Sequence, residues 1–147
     1  MQGGRWSGII SCCPKMLKIT KSCYEEMIRD AKRGLPNEAC GLLSGKAEMV
    51  TTFISMKNMD QSPLSYLMDP KEQFQVMKQI RARGEKMLGV YHSHVASQAY
   101  PSAKDVSFAF YPEVHYAIVS LTDRERPATR VFRIEDGKIR EDSIEIV

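Results

Sequence analysis

The sequence predicts a single α/β domain, and three observations predict it. Two stretches with apolar residues at helical spacing, residues 22–33 and 69–83, are separated by short apolar runs of strand length. The chain then ends in two alternating segments, residues 129–134 and 138–147, joined by Asp136-Gly137, a dipeptide that favours a two-residue hairpin turn. Finally, 147 residues that are 43% hydrophobic and 27% charged suit one ordinary globular unit able to bury a core. Helices interleaved with strands and followed by a hairpin make the class α/β.

The elements follow in order. Leu17-Lys18-Ile19 is a short strand, and Thr20 precedes a helix whose Tyr24, Met27, Ile28 and Ala31 keep the 3.6-residue rhythm until Gly34 and Pro36 end it. Glu38 leads into residues 39–43, an apolar run expected to be a buried strand, with Gly45 opening a turn. The string Gly41 to Lys46 is no phosphate loop, because three residues rather than four separate its glycines and Ala47 stands where Ser or Thr is needed. A strand over residues 49–55 and a loop over residues 57–63 come next. Asp69 can cap the second helix and Pro70 can occupy its first turn. Phe74, Met77 and Ile80 are its expected buried face, Lys78, Arg81 and Arg83 its solvated one, and Gly84 its end. Residues 87–91 form a strand, residues 103–111 a helix stopped by Pro112, and residues 115–121 a strongly apolar strand.

Composition excludes several classes. A net charge of +3 with bases and acids interleaved does not imply nucleic acid. No apolar run approaches the roughly 18 residues of a membrane span. Cysteines at 12, 13, 23 and 40 form no C-x-x-C pair or disulfide-scaffold spacing, so a reducing cytoplasm is the simplest reading. Ile9-Ile10-Ser11-Cys12 has the look of a lipoprotein cleavage site, but the apolar part before it is shorter than the about 7 to 15 residues of a signal-peptide core. Residues 1–15 therefore read as a disordered or adventitious extension, with Met16 as the functional start and residues 16–147 as the domain.

Chemistry concentrates between Tyr91 and Asp105, YHSHVASQAYPSAKD. On a strand, His92 and His94 project to one face about 7 Å apart along the chain, a span that one metal ion can bridge. Asp105 follows Pro101-Ser102 at the opening of a helix, whose first turn can carry the carboxylate back toward the strand end. Two imidazoles and a carboxylate suit zinc, and three protein ligands leave a fourth position open, as catalysis requires. Each part also has a plainer reading. H-x-H pairs occur by chance on strands, and Ser102-Ala103-Lys104-Asp105 is close to a helix capping box. The cap and the ligand are compatible, since a cap fixes where Asp105 points. A lone His115 at a strand entrance is more often structural than catalytic.

Pro36-Asn37-Glu38-Ala39-Cys40-Gly41-Leu42-Leu43-Ser44-Gly45, placed beside His92-Ser93-His94 and Pro101-Ser102-Ala103-Lys104-Asp105, resembles the JAMM (MPN+) metallopeptidase pattern. The resemblance covers residues 16–121. It is greatest to the bacterial peptidases that act on ubiquitin-like sulfur carriers, the CysO-cysteine peptidase type, and Val95 stands where many JAMM enzymes have proline. It implies a central mixed β-sheet flanked by helices, cytidine-deaminase-like, with the metal at the edge where the histidine strand meets the next helix. It further implies zinc on His92, His94 and Asp105, Glu38 as general base and then acid, and Ser102 as oxyanion support. The expected partner is a carrier ending in Gly-Gly, cut to release cysteine or another small adduct. Zinc so held would bring the pKa of a coordinated water from about 16 to about 7.

Four other readings compete. A metal-free MPN-type scaffold or interaction module typically lacks the ligands present here. The JAMM-like proteins of bacterial DNA repair would need a helix-hairpin-helix or a basic patch, and neither is evident. A Cys40–His115 thiol dyad requires a reactive thiol, whereas Cys40 lies in an apolar run. Zinc deaminases need H-x-E with C-x-x-C, which is absent.

Overall fold

The computed structural model describes residues 15–147, so the expected extension over residues 1–15 lies, apart from Lys15, outside the described residues. Among the described residues, seven strands and three helices follow in the order β1 (Met16–Ile19), α1 (Lys21–Arg33), β2 (Cys40–Lys46), β3 (Met49–Met56), α2 (Pro70–Ala82), β4 (Lys86–His94), α3 (Ala103–Ser107), β5 (His115–Ser120), β6 (Ala128–Glu135) and β7 (Lys138–Ile146). They form one mixed sheet in the order β1-β3-β2-β4-β5-β6-β7. Strand β1 runs parallel to both β3 and β7, which closes the sheet on itself. Strands β4 and β5 are also parallel, and the remaining pairs are antiparallel.

Local chemistry explains most boundaries. The Thr20 side chain accepts from Cys23 N at the start of α1, and Asp69 accepts from Lys71 N ahead of Pro70 at the start of α2. The turn between β2 and β3 falls at Ala47-Glu48, both with positive φ (51° and 62°), and not at Gly45. Gly45 lies inside β2 next to a register shift, where an added Cβ would collide with the Met49 carbonyl.

Packing decided two details differently from the sequence pattern. In α2, Ile80 is buried as expected and Met77 is half-buried, but Phe74 is 61% exposed, with Lys78 Nζ 5.3 Å from its ring centre. The inward stripe runs through Gln73, Val76, Met77 and Ile80, and it begins with a polar residue because Gln73 donates to the Tyr111 hydroxyl at 3.1 Å. Helix α3 stops at Ser107 rather than continuing to 111. Tyr111 N donates to the Tyr116 hydroxyl of β5 at 3.0 Å, so the chain leaves the helix to meet the sheet before Pro112.

Apolar residues pack on both faces of the sheet. Met27 of α1 joins Leu17, Ile19, Leu43, Tyr91 and Val119 in one cluster, while Ile80 of α2 joins Leu42, Val90, Ile118 and Phe132 in the other. Beyond the register shift that skips Leu88, β4 residues alternate between them, with Val90 in the second cluster and Tyr91 in the first. His92 and His94 follow Val90, on the face of α2. Among the described residues, no helix is long and apolar enough to cross a membrane.

Candidate metal centre

His92 and His94 are the last two residues of β4 on that face, 1% and 3% exposed. Strand β4 is interior, with Cys40 of β2 and Ile118 of β5 on either side of His92. The pair therefore stands at the C-terminal end of an interior strand, where β4 gives way to the segment leading to α3.

Asp105 reaches this end of the strand from α3. Ser102 caps the helix by accepting from Asp105 N at 3.1 Å, while Ser102 N donates back to Asp105 Oδ2 at 2.9 Å. The capping box expected from the sequence is thus formed, and it aims the carboxylate. Asp105 Oδ2 lies 3.0 Å from both His92 Nε2 and His94 Nε2, and the two nitrogens are 3.1 Å apart. A tetrahedral zinc with ligand bonds of about 2.0 to 2.1 Å sets neighbouring ligand atoms roughly 3.3 Å apart. The observed triangle needs to open by only a few tenths of an ångström to match.

The donor chemistry also asks for a cation. His94 Nδ1 sits 2.7 Å from the Gln98 carbonyl oxygen, which can only accept, so Nδ1 carries the hydrogen and Nε2 of the neutral ring presents a lone pair. That lone pair faces a carboxylate oxygen at 3.0 Å. Two such atoms repel unless a proton or a metal ion lies between them. Burial lowers the proton affinity of both rings; for His92 it prevails, whereas for His94 the bonds to Asp105 and Gln98 outweigh it and raise the pKa. Burial pushes Asp105 up, but its bonds to the two imidazoles win and hold it well below the usual carboxylate range.

Glu38 is 5% exposed, close enough for the charges of His94 and Asp105 to act on it, and its Oε1 is buried without a hydrogen-bond partner. Burial pushes its carboxyl up to about 7, more than His94 draws it down. The residue can therefore both take and give a proton near neutrality. Ser102 is exposed, and its oxygen serves the cap by accepting, which leaves the hydroxyl hydrogen available to another acceptor.

Residues outside the sequence reading also shape the site. The Tyr66 ring stacks on His92 with centres 4.5 Å apart, and a cavity of about 150 Å³ lined by Tyr66, Leu67, Phe108 and Tyr116 lies beside it. Gln98 contributes through its carbonyl, for which residue type carries no signal. His115 lies away from this end of the sheet, opposite Gly89 and bonded to Asp142 at 3.0 Å. The Cys40 thiol is buried, near the Met56 and Lys57 carbonyls, and burial pushes its pKa up to about 12. No Cys40–His115 dyad forms.

Known proteins resemble this chain over most of its length. The chain is 37% identical over 134 residues to a CysO-cysteine peptidase of Mycobacterium tuberculosis, covering 90% of this chain and 92% of that protein. It is 32% identical over 124 residues to a probable TtuB-protein conjugate cleaving protease of Thermus thermophilus, covering 84% and 79% of the two chains. A solution structure from Desulfitobacterium hafniense superposes with a TM-score of 0.81 at 40% identity, covering 90% of this chain and 92% of that one. The model for prokaryotic homologs of the JAB domain matches residues 20–135. With most of the chain inside that match and the JAMM-like motif within it, the protein belongs to the family of prokaryotic homologs of the JAB domain.

Proposed function

We propose that the protein is a cytoplasmic zinc-dependent peptidase that hydrolyses the amide bond after the C-terminal Gly-Gly of a ubiquitin-like sulfur carrier, releasing cysteine or another small adduct. The observation that carries the reading is the convergence of His92 Nε2, His94 Nε2 and Asp105 Oδ2 within 3.1 Å of one another. The names of the relatives, a CysO-cysteine peptidase and a probable TtuB-protein conjugate cleaving protease, support the substrate class.

His92, His94 and Asp105 would hold the zinc. When bound, zinc supplies a Lewis acid for the scissile carbonyl and acidifies water toward neutral pH. Glu38 takes the proton of the attacking water and delivers it to the leaving amine, a double duty that a carboxyl pKa of about 7 suits. The Ser102 hydroxyl donates to the developing oxyanion, worth about 3 kcal/mol for one well-placed donor. A Gly-Gly tail suits the substrate role because an extended chain without side chains can lie closest to the metal.

Mass spectrometry tests the assignment. The enzyme is incubated with a carrier ending in Gly-Gly-Cys and with a carrier linked to lysine by an isopeptide bond. Faster initial release from the Gly-Gly-Cys carrier is expected. Faster cleavage of the isopeptide conjugate, or cleavage of neither, rejects the small-adduct reading. In the same assay Glu38→Gln should retain zinc and lose activity by a factor of roughly hundreds.

A further inference from the structure

Glu38 precedes β2, and no regular element holds it. Bonds from outside the segment do. Glu38 N donates to the Ser62 carbonyl at 2.9 Å, and Asn58 Nδ2 donates to the Glu38 carbonyl at 3.0 Å. The next residue is gripped by the serine that separates the two candidate histidine ligands. Ala39 N donates to Ser93 Oγ at 2.8 Å, and Ser93 N donates to the Ala39 carbonyl at 2.9 Å.

The Ser93 arrangement departs from a regular ladder in an informative way. Cys40 stands opposite His92 and Gly41 opposite Tyr91, so Ala39 stands opposite Ser93. In a regular antiparallel pair of this kind the two residues exchange both backbone bonds, and Ala39 N–H would go to the Ser93 carbonyl. Here the fully buried Ser93 side chain takes that hydrogen bond instead. The pairing ends half-regular. The chain can then turn away at Glu38 without leaving the Ala39 N–H unpaired, which would be costly at a residue only 8% exposed.

Asn58 grips the other side. Its Nδ2 donates to the carbonyls of Glu38 and Ser65, and its Oδ1 accepts from Asp60 N and Leu67 N, all at 3.0 Å. Both ends of the amide are doubly engaged. The side chain thereby ties Glu38 to the loop carrying Tyr66, whose ring lies on His92.

We infer that Ser93 and Asn58 are positioning residues that aim the Glu38 carboxylate at the reacting atoms. This rests on the peptidase reading above. In zinc-loaded enzyme acting on a carrier ending in Gly-Gly-Cys, Ser93→Ala should lower kcat by roughly 10- to 100-fold, the scale of an ångström-sized misplacement. KM and zinc content should stay as in the parent. Because the effect runs through Glu38, the same substitution in a Glu38→Gln background should change kcat by less than about twofold. Ser93→Thr, which keeps the acceptor oxygen, should restore most of the rate, and Asn58→Ala should show the same dependence on Glu38. Independently of activity, the Ala39 amide should exchange with solvent at least about tenfold faster in Ser93→Ala, read by NMR. Equal loss in both backgrounds, loss of zinc in Ser93→Ala, or an unchanged Ala39 exchange rate would overturn the inference. Failure of the peptidase reading looks different: the parent enzyme cleaves neither substrate, whatever happens at Ala39.

Discussion

At the scale of single residues, the fold holds a carboxylate where it is disfavoured. Glu38 has a buried oxygen with no partner, and burial raises its pKa from 4.5 to about 7. The folded state therefore binds a proton that the unfolded state has released between pH 4.5 and 7, so stability falls as pH rises through this window. In metal-stripped protein, Glu38→Gln should accordingly stabilise the fold by about 1 to 3 kcal/mol at pH 8 and by almost nothing at pH 4, measured by urea unfolding. A variant no more stable than the parent at pH 8 would mean that the carboxylate is not under this strain. The candidate metal ligands are legible in the sequence because side-chain type and spacing carry their chemistry, H-x-H on a strand and S-x-x-D at a helix start, whereas Glu38 is legible only through the resemblance of the segment around it. Tyr66 and Gln98 are not legible, since one acts by stacking across a loop and the other through a main-chain carbonyl.

At the scale of elements, α3 shows how a cap and a site share one residue. Ser102 both caps the start of the helix and stands beside the candidate metal ligands, so alanine there would confound two losses. Ser102→Asp separates them, because aspartate still caps but cannot donate when ionised. Zinc content and melting temperature should be close to the parent while kcat falls by roughly 100-fold; a near-parental rate would remove Ser102 from oxyanion support. Helix α2 shows where periodicity misleads. Its inward stripe is displaced by one position at the start, since Gln73 turns in to bond Tyr111 and Phe74 turns out over Lys78. Ile80→Ala should thus cost about 2 to 4 kcal/mol, but Phe74→Ala only about 0.5 kcal/mol or less. Comparable costs for the two would place Phe74 in the core after all. Strand positions were legible from apolar runs and the Asp136-Gly137 turn, whereas the end of α3 depended on a bond from Tyr111 to the sheet.

At the scale of the molecule, pairing with β2 on one side and β5 on the other makes β4 an interior strand and gives its C-terminal end a rigid base. Elements far apart in sequence meet there: the lead-in to β2 brings Glu38, β4 brings the histidines, and α3 brings Asp105. The sequence pattern announced these partners but not the ring that joins them, because the parallel contact of β1 with β7 spans nearly the whole described chain and leaves no local signature. The central claim is that three side chains form one metal centre. Elemental analysis of the purified protein, alongside His94→Ala and Asp105→Ala, tests it most directly. About one zinc per chain in the parent and depletion in both variants is the predicted result; full zinc retention in both would contradict it.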